Sequence, residues 1–283
     1  MNNIPAANTQ METLEIGDDE LAEIGLILEM RGSFSMSCYK DKCMKRRVAI
    51  RMRSCRCNDA ATYCNLLLRS EHELELLQKA LTIHVSQFFR NPSVFEKLRS
   101  HVLPLLYGSE ADGRDKLDIC SLGCAGGEEA YSIAILLREY FADKIIRTET
   151  RINALDIDIE TIRIAERAEY NPDRLKELPE EFKERYFKAS GAKMQLSETI
   201  RHMVTFRQGD ITVVRNYSPH DLVLCRNTLI YFTRVEQEKI LNGIADILPP
   251  GGILVLGKSE TLVGDVRRRF TAVCPVERIY RKL

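Results

Sequence analysis

The chain has 283 residues, 45% of them hydrophobic, and its 41 Lys and Arg residues balance 41 Asp and Glu residues. This length allows a sizeable core and favours two domains, while the zero net charge gives no overall attraction to nucleic acid or membranes. No apolar run approaches the roughly 18 residues of a membrane span and no secretory leader is visible, so we expect a cytoplasmic protein without membrane insertion.

The first part of the chain is typical of a short tail followed by a small all-helical domain. Residues 1–17 have little apolar content, and Asp18 is a suitable cap for a helix with apolar residues at helical spacing. A strongly basic helix is expected over 40–56. Two further helices are expected over 60–68 and 73–81. We assign 1–17 to a flexible tail and 18–85 to a helical N-terminal domain.

The rest of the chain alternates strand and helix, which indicates an α/β domain. We assign 86–104 to a linker and connecting helix, and 105–283 to the α/β domain. The pattern weakens over about 172–207, where we expect a small inserted antiparallel β subdomain that includes Tyr186-Phe187 and Met203 to Phe206. A single last strand is expected over 273–280.

The most informative segment lies at the first strand of this domain. An apolar run ends at Leu122, small residues follow from Gly123 to Gly127, and a helical pattern begins after Glu129. Such a turn brings a ligand against bare backbone at a helix N-terminus. The next predicted strand ends in Asp156, where an acid is well placed for ribose hydroxyls. Together these features indicate a nucleoside cofactor.

The chemistry of the turn narrows the choice of cofactor. The turn lacks the G-x-G-x-x-G pattern, and no G-x-x-x-x-G-K-[ST] motif occurs, so dinucleotides and nucleoside triphosphates are disfavoured. Glu128 and Glu129 at the helix start also disfavour a phosphate there. They suit a cofactor that carries positive charge, such as S-adenosylmethionine (SAM).

Two other segments carry candidate site residues. Asn227 and Tyr231 follow a buried strand and would face the same crevice as the Gly-rich turn, although an ordinary surface loop is the alternative. The segment Ser86-Gln87-Phe88-Phe89-Arg90 joins two aromatic residues to an arginine. Either the aromatic residues are interdomain packing beside a surface cation, or Arg90 binds a carboxylate through parallel hydrogen bonds.

The cysteines and the basic helix leave open alternatives. Nine cysteines without a secretory leader suggest reduced thiols, and Cys55-x-Cys57 lacks the paired spacing and nearby histidines of a zinc site, so no metal is expected. The basic helix is either a solvated face or a docking surface for an acidic protein or nucleic acid. Few aromatic residues accompany it, which makes nucleic acid the weaker choice.

In combination, order and spacing, four motifs resemble those of the CheR-type chemotaxis receptor methyltransferases over nearly the whole chain. They are Ser86 to Arg90, Ser121 to Ser132, Asp156-Ile157-Asp158 and Cys225 to Phe232. The last motif is followed by Pro250-Gly251-Gly252 and Gly257-Lys258-Ser259-Glu260. The resemblance implies a helical N-terminal domain and a Rossmann-like, class I SAM-dependent methyltransferase domain with an inserted antiparallel subdomain.

The resemblance also implies an activity and a set of site residues. The reaction is transfer of the SAM methyl group to glutamate side chains of methyl-accepting chemoreceptors, giving glutamate 5-O-methyl esters and S-adenosylhomocysteine. The implied catalytic residues are Arg90 and Tyr231. The implied cofactor contacts are His84, Ser86, Arg90, Glu129, Asp156, Asp210, Ile211, Asn227 and Thr228. At two of these positions, His84 and Asp210, the family often has Asn.

Under this resemblance the partner is the acidic helical bundle of a receptor's cytoplasmic region. The basic helix then gains a docking role, through Lys45, Arg46, Arg47, Arg51 and Arg53. The stretch between Phe187 and Val204 is short for a loop that holds a receptor's C-terminal pentapeptide, so we expect no tight pentapeptide binding. One alternative is a non-catalytic SAM-binding module, against which the intact site argues. The other is a methyltransferase for another acceptor such as nucleic acid, but this chain lacks the Asn-Pro-Pro-Tyr type motif expected for methylation of base amino groups.

Overall fold

A computed structural model of the chain describes residues 15–31, 34–82, 86–108 and 115–283. The chain divides into two compact units, Met1–Thr82 and Ile83–Leu283. None of the helices in the described ranges is long and apolar enough to cross a membrane.

The N-terminal unit contains four helices, whose bounds follow the apolar spacing of the sequence. They are α1 (Asp18–Arg31), α2 (Asp41–Ser54), α3 (Ala60–Arg69) and α4 (Glu71–Leu81). Asp59 caps α3 by accepting from the Thr62 backbone N–H, and Ser70 caps α4 by accepting from Glu73. All four helices bury apolar side chains in one shared core.

A buried ion pair ties α2 to α4 inside this unit. Arg51 donates to both carboxylate oxygens of Glu73, with Nε–Oε1 at 3.0 Å and Nη2–Oε2 at 2.6 Å. The Tyr63 hydroxyl of α3 donates to the same carboxylate at 2.9 Å. Burial alone would raise the pKa of Glu73, but hydrogen bonds from Arg51, Cys55 and Tyr63 lower it below its ordinary value. The basic helix therefore supplies one of the internal links of its own domain.

The C-terminal unit begins with a helical segment and continues as an α/β domain. The opening segment comprises α5 (Pro92–Lys97), a π-helix (Leu98–Val102) and α6 (Leu103–Tyr107). The larger helices that follow are α7 (Glu128–Tyr140), α8 (Ala142–Arg147), α9 (Ile159–Arg167), α10 (Glu180–Tyr186), α11 (Glu198–Arg201) and α12 (Arg234–Ile247). The strands are β1 (Lys116–Leu122), β2 (Glu149–Asp156), β3 (Glu169–Tyr170), β4 (Phe187–Ser190), β5 (Lys193–Leu196), β6 (Val204–Gln208), β7 (Leu222–Cys225), β8 (Ile253–Leu256), β9 (Phe270–Cys274) and β10 (Ile279–Lys282).

Seven of these strands form one sheet in the order β6-β2-β1-β7-β8-β10-β9. The five strands β6, β2, β1, β7 and β8 are parallel to one another, whereas β10 pairs antiparallel with both β8 and β9. Each residue of β7 and β8 is buried, as expected for central strands covered on both faces. The arrangement is the α/β domain that the alternating pattern predicts, and it agrees with the Rossmann-like domain that the resemblance implies.

The structure corrects two of the predicted strands. Met203 to Phe206 does not belong to the antiparallel insert, because β6 pairs parallel with β2 in the main sheet, and the small sheet has the order β3-β5-β4. The expected last strand over 273–280 is two strands, β9 and β10, since a turn that includes Arg278 at φ 56° separates them. The segment over 86–104, expected to be a linker and connecting helix, contains α5 and the π-helix and contributes Val94, Phe95 and Leu98 to the core of the C-terminal unit.

We predict that Glu73→Gln destabilises the N-terminal unit by about 3 kcal/mol, because it leaves the Arg51 guanidinium, which is only 18% exposed, without a compensating charge. Since the pKa of Glu73 is lowered in the folded state, its contribution is present above about pH 4.5 and lost as the pH falls through the lowered value. Denaturant unfolding of the full chain, measured at several pH values by circular dichroism, tests both statements.

The matched control is Glu71→Gln on the same helix, where the carboxylate pairs with Arg31 but is 66% exposed. An exposed pair contributes less than about 1 kcal/mol, so this variant should stay near the wild type. Equal loss of stability in the two variants would contradict a structural role for the Arg51–Glu73 pair.

Candidate functional site

The carboxyl ends of four neighbouring parallel strands meet at one edge of the main sheet. The Gly-rich turn follows β1, Asp156 ends β2, Asp210 follows β6, and Asn227 with Thr228 follows β7. The order β6-β2-β1-β7 places these groups side by side. In open α/β sheets this edge is where ligands bind. The predicted site residues of the C-terminal unit are thus brought together by strand order.

Backbone hydrogen bonds shape the Gly-rich turn around Asp156. The N–H groups of Gly123 and Cys124 both donate to the Leu155 carbonyl, at 2.8 and 2.9 Å. Asp156, which is buried, accepts from the Ala125 N–H at 2.9 Å through one carboxylate oxygen and from the Asp158 N–H at 3.1 Å through the other. Asp156 therefore holds the turn as well as facing the ligand edge.

Glycine is required where this turn meets its neighbours. Gly123 has φ +68°, and a Cβ at that position would lie 2.6 Å from the Thr228 hydroxyl oxygen. Gly127 has φ +86°, and a Cβ there would lie 2.8 Å from the Phe206 ring. The loops after β1 and β7 therefore pack directly against each other, which a side chain at Gly123 would prevent.

Each of the two acids at the start of α7 faces an arginine. Glu128 lies 3.5 Å from Arg174. Glu129 accepts from the Ser121 hydroxyl at 2.8 Å through Oε1, and its Oε2 accepts from Arg226 at 3.0 Å. A carboxylate has about four acceptor positions, so Glu129 retains capacity for a ligand ammonium.

Arg226 is a buried cation that sequence reasoning missed, although it stands within the quoted Cys-Arg-Asn motif. Besides Glu129, its guanidinium donates through Nη2 to the Arg90 carbonyl at 2.7 Å and to Asn91 Oδ1 at 3.0 Å. It also lies over the Phe95 ring, 5.6 Å from the centroid. Arg226 thus connects the β7 loop, the first turn of α7 and the segment that carries Arg90.

The aromatic pair before Arg90 packs within the C-terminal unit, which corrects the alternative of interdomain packing. Phe88 makes edge contacts with Tyr170 and Phe187, and Phe89 packs against Phe95. The Phe89 N–H donates to the Ser132 hydroxyl at 2.9 Å. These contacts anchor the segment on which Ser86 and Arg90 lie half-buried.

The backbone around the site is unusually strained. Among the described residues, four of the seven non-glycine residues with positive φ lie in its loops: Phe89 at 51°, Asn91 at 62°, Ala125 at 49° and Asn227 at 58°. Such conformations cost about 1–3 kcal/mol each and persist only where surrounding contacts impose them. Their concentration here is typical of a functional site.

The remaining predicted residues take defined positions on the same edge. Asp210 accepts from the Thr212 N–H at 2.8 Å, and its carbonyl accepts from the Tyr217 hydroxyl at 2.7 Å. Ile211 is buried directly after it, and Tyr231 is half-buried at the end of a 3₁₀ turn, Leu229–Tyr231. His84 lies outside the described residues.

The basic residues predicted for receptor docking lie on α2 of the N-terminal unit and divide into two groups. Arg51 is engaged by Glu73, Lys45 by Asp18 at 2.5 Å, and Arg47 by the Ala80 carbonyl. Arg51, 18% exposed, is thus held in an ion pair within the N-terminal unit. Arg46 and Arg53 remain exposed.

The cysteines near the site are not suited to nucleophilic chemistry. Cys120, Cys124 and Cys225 are buried, and burial raises the pKa of each thiol. Over the described part of the chain, no group of three or more His, Cys, Asp or Glu residues is arranged to hold a metal ion.

The charged and hydrogen-bonding side chains at this edge of the sheet fit SAM. Glu129 supplies a negative charge at the helix start, where a phosphate would be repelled, and Asp156 and Asp210 supply acceptors for hydroxyl and amino groups. The fold and this arrangement define a class I SAM-dependent methyltransferase.

The chain belongs to the CheR methyltransferase family. Residues 84–277 match the model of the SAM binding domain of CheR methyltransferases, and residues 19–82 match the model of their all-alpha domain. The first match covers most of the C-terminal unit and includes the strand-end site.

Individual relatives are similar to this chain over most of its length. A chemotaxis protein methyltransferase of Borreliella burgdorferi is 28% identical, covering 89% of this chain and 91% of its own length. That of Escherichia coli is 27% identical over 95% of both chains. An uncharacterised 104.1 kDa protein of Rhodobacter capsulatus is 32% identical over 94% of this chain, which spans 28% of that protein's length.

We predict that Asp156→Asn weakens SAM binding by about ten- to hundredfold, because an amide nitrogen replaces one acceptor and meets a backbone N–H donor. Loss of that bond releases the Gly-rich turn. Isothermal titration calorimetry of SAM with the full chain measures the effect.

Asp158→Asn is the matched control, two residues away. Asp158 caps α9 by accepting from the Glu160 and Thr161 N–H groups, and Asn caps helices about as well as Asp. SAM affinity should be unchanged in this variant, and equal weakening in both would show that Asp156 has no special part.

Proposed function

We propose that the protein transfers the SAM methyl group to glutamate side chains of chemoreceptors, giving glutamate 5-O-methyl esters and S-adenosylhomocysteine. One observation carries the proposal: the Arg226 guanidinium donates both to the Glu129 carboxylate and to the Arg90 carbonyl, and so links the backbone of Arg90 to Glu129. The family and the chemotaxis methyltransferases among its relatives support the choice of acceptor. We propose that the protein acts in the cytoplasm, on the receptor's helical bundle.

The chemistry asks little of the protein beyond positioning. When bound, SAM supplies a methyl group already activated on a sulfonium. A glutamate carboxylate is ionised at neutral pH and needs no general base. The residues of the site therefore orient the acceptor carboxylate and exclude water.

Individual roles follow from charge and position. We propose that Arg90 orients the incoming carboxylate or the methionine carboxylate of SAM, through paired hydrogen bonds. Tyr231 lines the transfer site. Glu129 holds the methionine ammonium, and Asp156 the ribose. The remaining cofactor contacts that we propose are His84, Ser86, Asp210, Ile211, Asn227 and Thr228, with Asp210 accepting from the adenine amino group.

We predict that radiolabelled methyl groups pass from SAM to a receptor cytoplasmic fragment and are released by base as methanol. Arg90→Ala should keep the fold and lower the rate by about a hundredfold, since positioning is the main contribution of the site. Arg99→Ala is the control, because Arg99 is a nearby arginine of the helical segment that follows, 39% exposed and ion-paired with Glu96.

Label that resists base would contradict carboxyl methylation. An Arg90→Ala variant with the rate of the wild type would show that Arg90 only packs. Confirmed SAM binding without label on any of several receptor fragments would favour the alternative of another acceptor.

We also propose that an exposed face of α2 docks the acidic receptor bundle. This α2 surface consists of Lys42, Arg46, Ile50 and Arg53, which are all exposed and share one side of the helix at spacings of three, four and seven residues. Three cations around one apolar side chain suit a helical bundle rich in glutamate. Charge complementarity of this kind raises association rates and is sensitive to salt.

We predict that Arg46→Glu combined with Arg53→Glu raises the apparent KM for the receptor fragment, most strongly at low salt, and leaves SAM affinity unchanged. The control combines Arg69→Glu with Lys79→Glu, which makes the same change in net charge at exposed positions of α3 and α4. Steady-state kinetics over a range of salt concentrations compare the two. Equal KM values would contradict a local docking role for α2.

The inserted β subdomain supports the expectation of no tight pentapeptide binding. Its strands β4 and β5 are joined by the tight turn Gly191-Ala192, with Gly191 at φ 59° and no neighbour near its Cβ position. We propose that receptor recognition depends on the methylated helices and not on a C-terminal tether.

A further inference from the structure

A second buried charge lies beneath the β7 loop, and neither the proposed mechanism nor the cofactor contacts use it. Glu260, which is 4% exposed, accepts four backbone hydrogen bonds. Its Oε2 accepts from Gly257 at 2.7 Å and from Asn227 at 2.8 Å. Its Oε1 accepts from Thr228 at 2.9 Å and from Ile230 at 3.3 Å.

Three of these donors belong to the loop that carries the proposed site residues. Asn227 and Thr228 are proposed cofactor contacts, and Ile230 directly precedes Tyr231. The fourth donor, Gly257, follows β8. The carboxylate thereby joins the loop after β7 to the loop after β8, at the ligand edge of the sheet.

Only a carboxylate can satisfy this set of donors. An ionised carboxylate has two acceptor oxygens and no donor, whereas a side-chain amide has one acceptor oxygen and two N–H donors. Hydrogen bonds of this charge-assisted kind are the stronger ones. An amide of the same shape would point its own N–H groups at two of the backbone donors.

The surrounding backbone leaves the carboxylate little freedom. A Cβ at Gly257 would lie 2.6 Å from Glu260 Oε2 and 2.8 Å from the Asn227 nitrogen. The Glu260 N–H in turn donates to the Gly257 carbonyl at 2.9 Å. Asn227 is held at φ 58°, a conformation that needs support from its neighbours.

We propose that Glu260 is a positioning residue for methyl transfer, whose carboxylate fixes the β7 loop so that Asn227 and Thr228 bind SAM and Tyr231 faces the transfer site. Glu260 acts through the backbone of these residues and does not itself touch the ligand. The proposal rests on SAM-dependent methyl transfer but not on the identity of the acceptor. Its test therefore uses SAM and S-adenosylhomocysteine without any acceptor, and a failure to methylate receptors would leave it unaffected.

The experiment measures SAM and S-adenosylhomocysteine binding to the full chain by calorimetry, well below the melting temperature of each variant. Glu260→Gln should weaken both by about tenfold or more, because one acceptor is lost and a donor is introduced. Glu260→Asp keeps the charge and both oxygens on a shorter side chain, so its affinity should lie between the wild type and Glu260→Gln.

Glu277→Gln is the matched control. Glu277 is also a buried glutamate of the C-terminal unit, 7% exposed and 3.5 Å from Lys258, but it lies in the β9–β10 turn. It should lose stability without losing SAM affinity, which separates positioning from a general effect on the fold.

Folded Glu260→Gln with the SAM affinity of the wild type would overturn the proposal. If Glu260→Gln does not fold, Glu260→Asp decides, because wild-type affinity in that variant would equally overturn it. Weakened binding in Glu277→Gln to the same extent as in Glu260→Gln would also overturn it, since the effect would then not be specific to the loop.

Discussion

The buried guanidinium of Arg226 is the interaction on which the site depends. It bonds to a side chain from α7, to the main chain of Arg90 and to the side chain of Asn91, and it stacks on Phe95. Removing a charge from water is costly unless good geometry compensates it. The strand-end loop, the first helical turn and the segment of Arg90 must therefore keep one arrangement, because any shift would leave this cation without part of its shell.

A second buried charge, the carboxylate of Glu260, also bonds to the β7 loop. Arg226 donates to carbonyl and carboxylate oxygens, whereas Glu260 accepts from backbone N–H groups of the loop. The described part of this loop has one short 3₁₀ turn, Leu229–Tyr231, and the two ions satisfy other backbone groups that no helix or strand ladder pairs. A site that must bind a charged cofactor and a charged acceptor is thus built on internal charges that are already compensated.

Some residues of the fold and the site were predictable from the sequence, and others were not. The Gly-rich turn and the strand-end acid Asp156 were identifiable because turns, strand ends and helix starts leave local patterns. The helices of the N-terminal unit were likewise predicted from apolar spacing. Arg226 and Glu260 stood within quoted motifs, but their roles depend on partners that lie far away in sequence. Val204 to Phe206 was assigned to the wrong sheet, since an apolar strand does not specify its neighbour.

The sequence by itself determined the α/β class of fold and the SAM-type turn through local patterns, and the family through the resemblance of its four motifs. Only the tertiary structure decided which cations are surface and which are internal, because ion pairing depends on packing. Arg46, Arg51 and Arg53 look alike in the basic helix, yet Arg51 alone meets the buried Glu73 of another helix. Spacing along one helix assigns a residue to a face, but the fold determines what that face meets, and in a low-dielectric interior that contact decides the role of a charge.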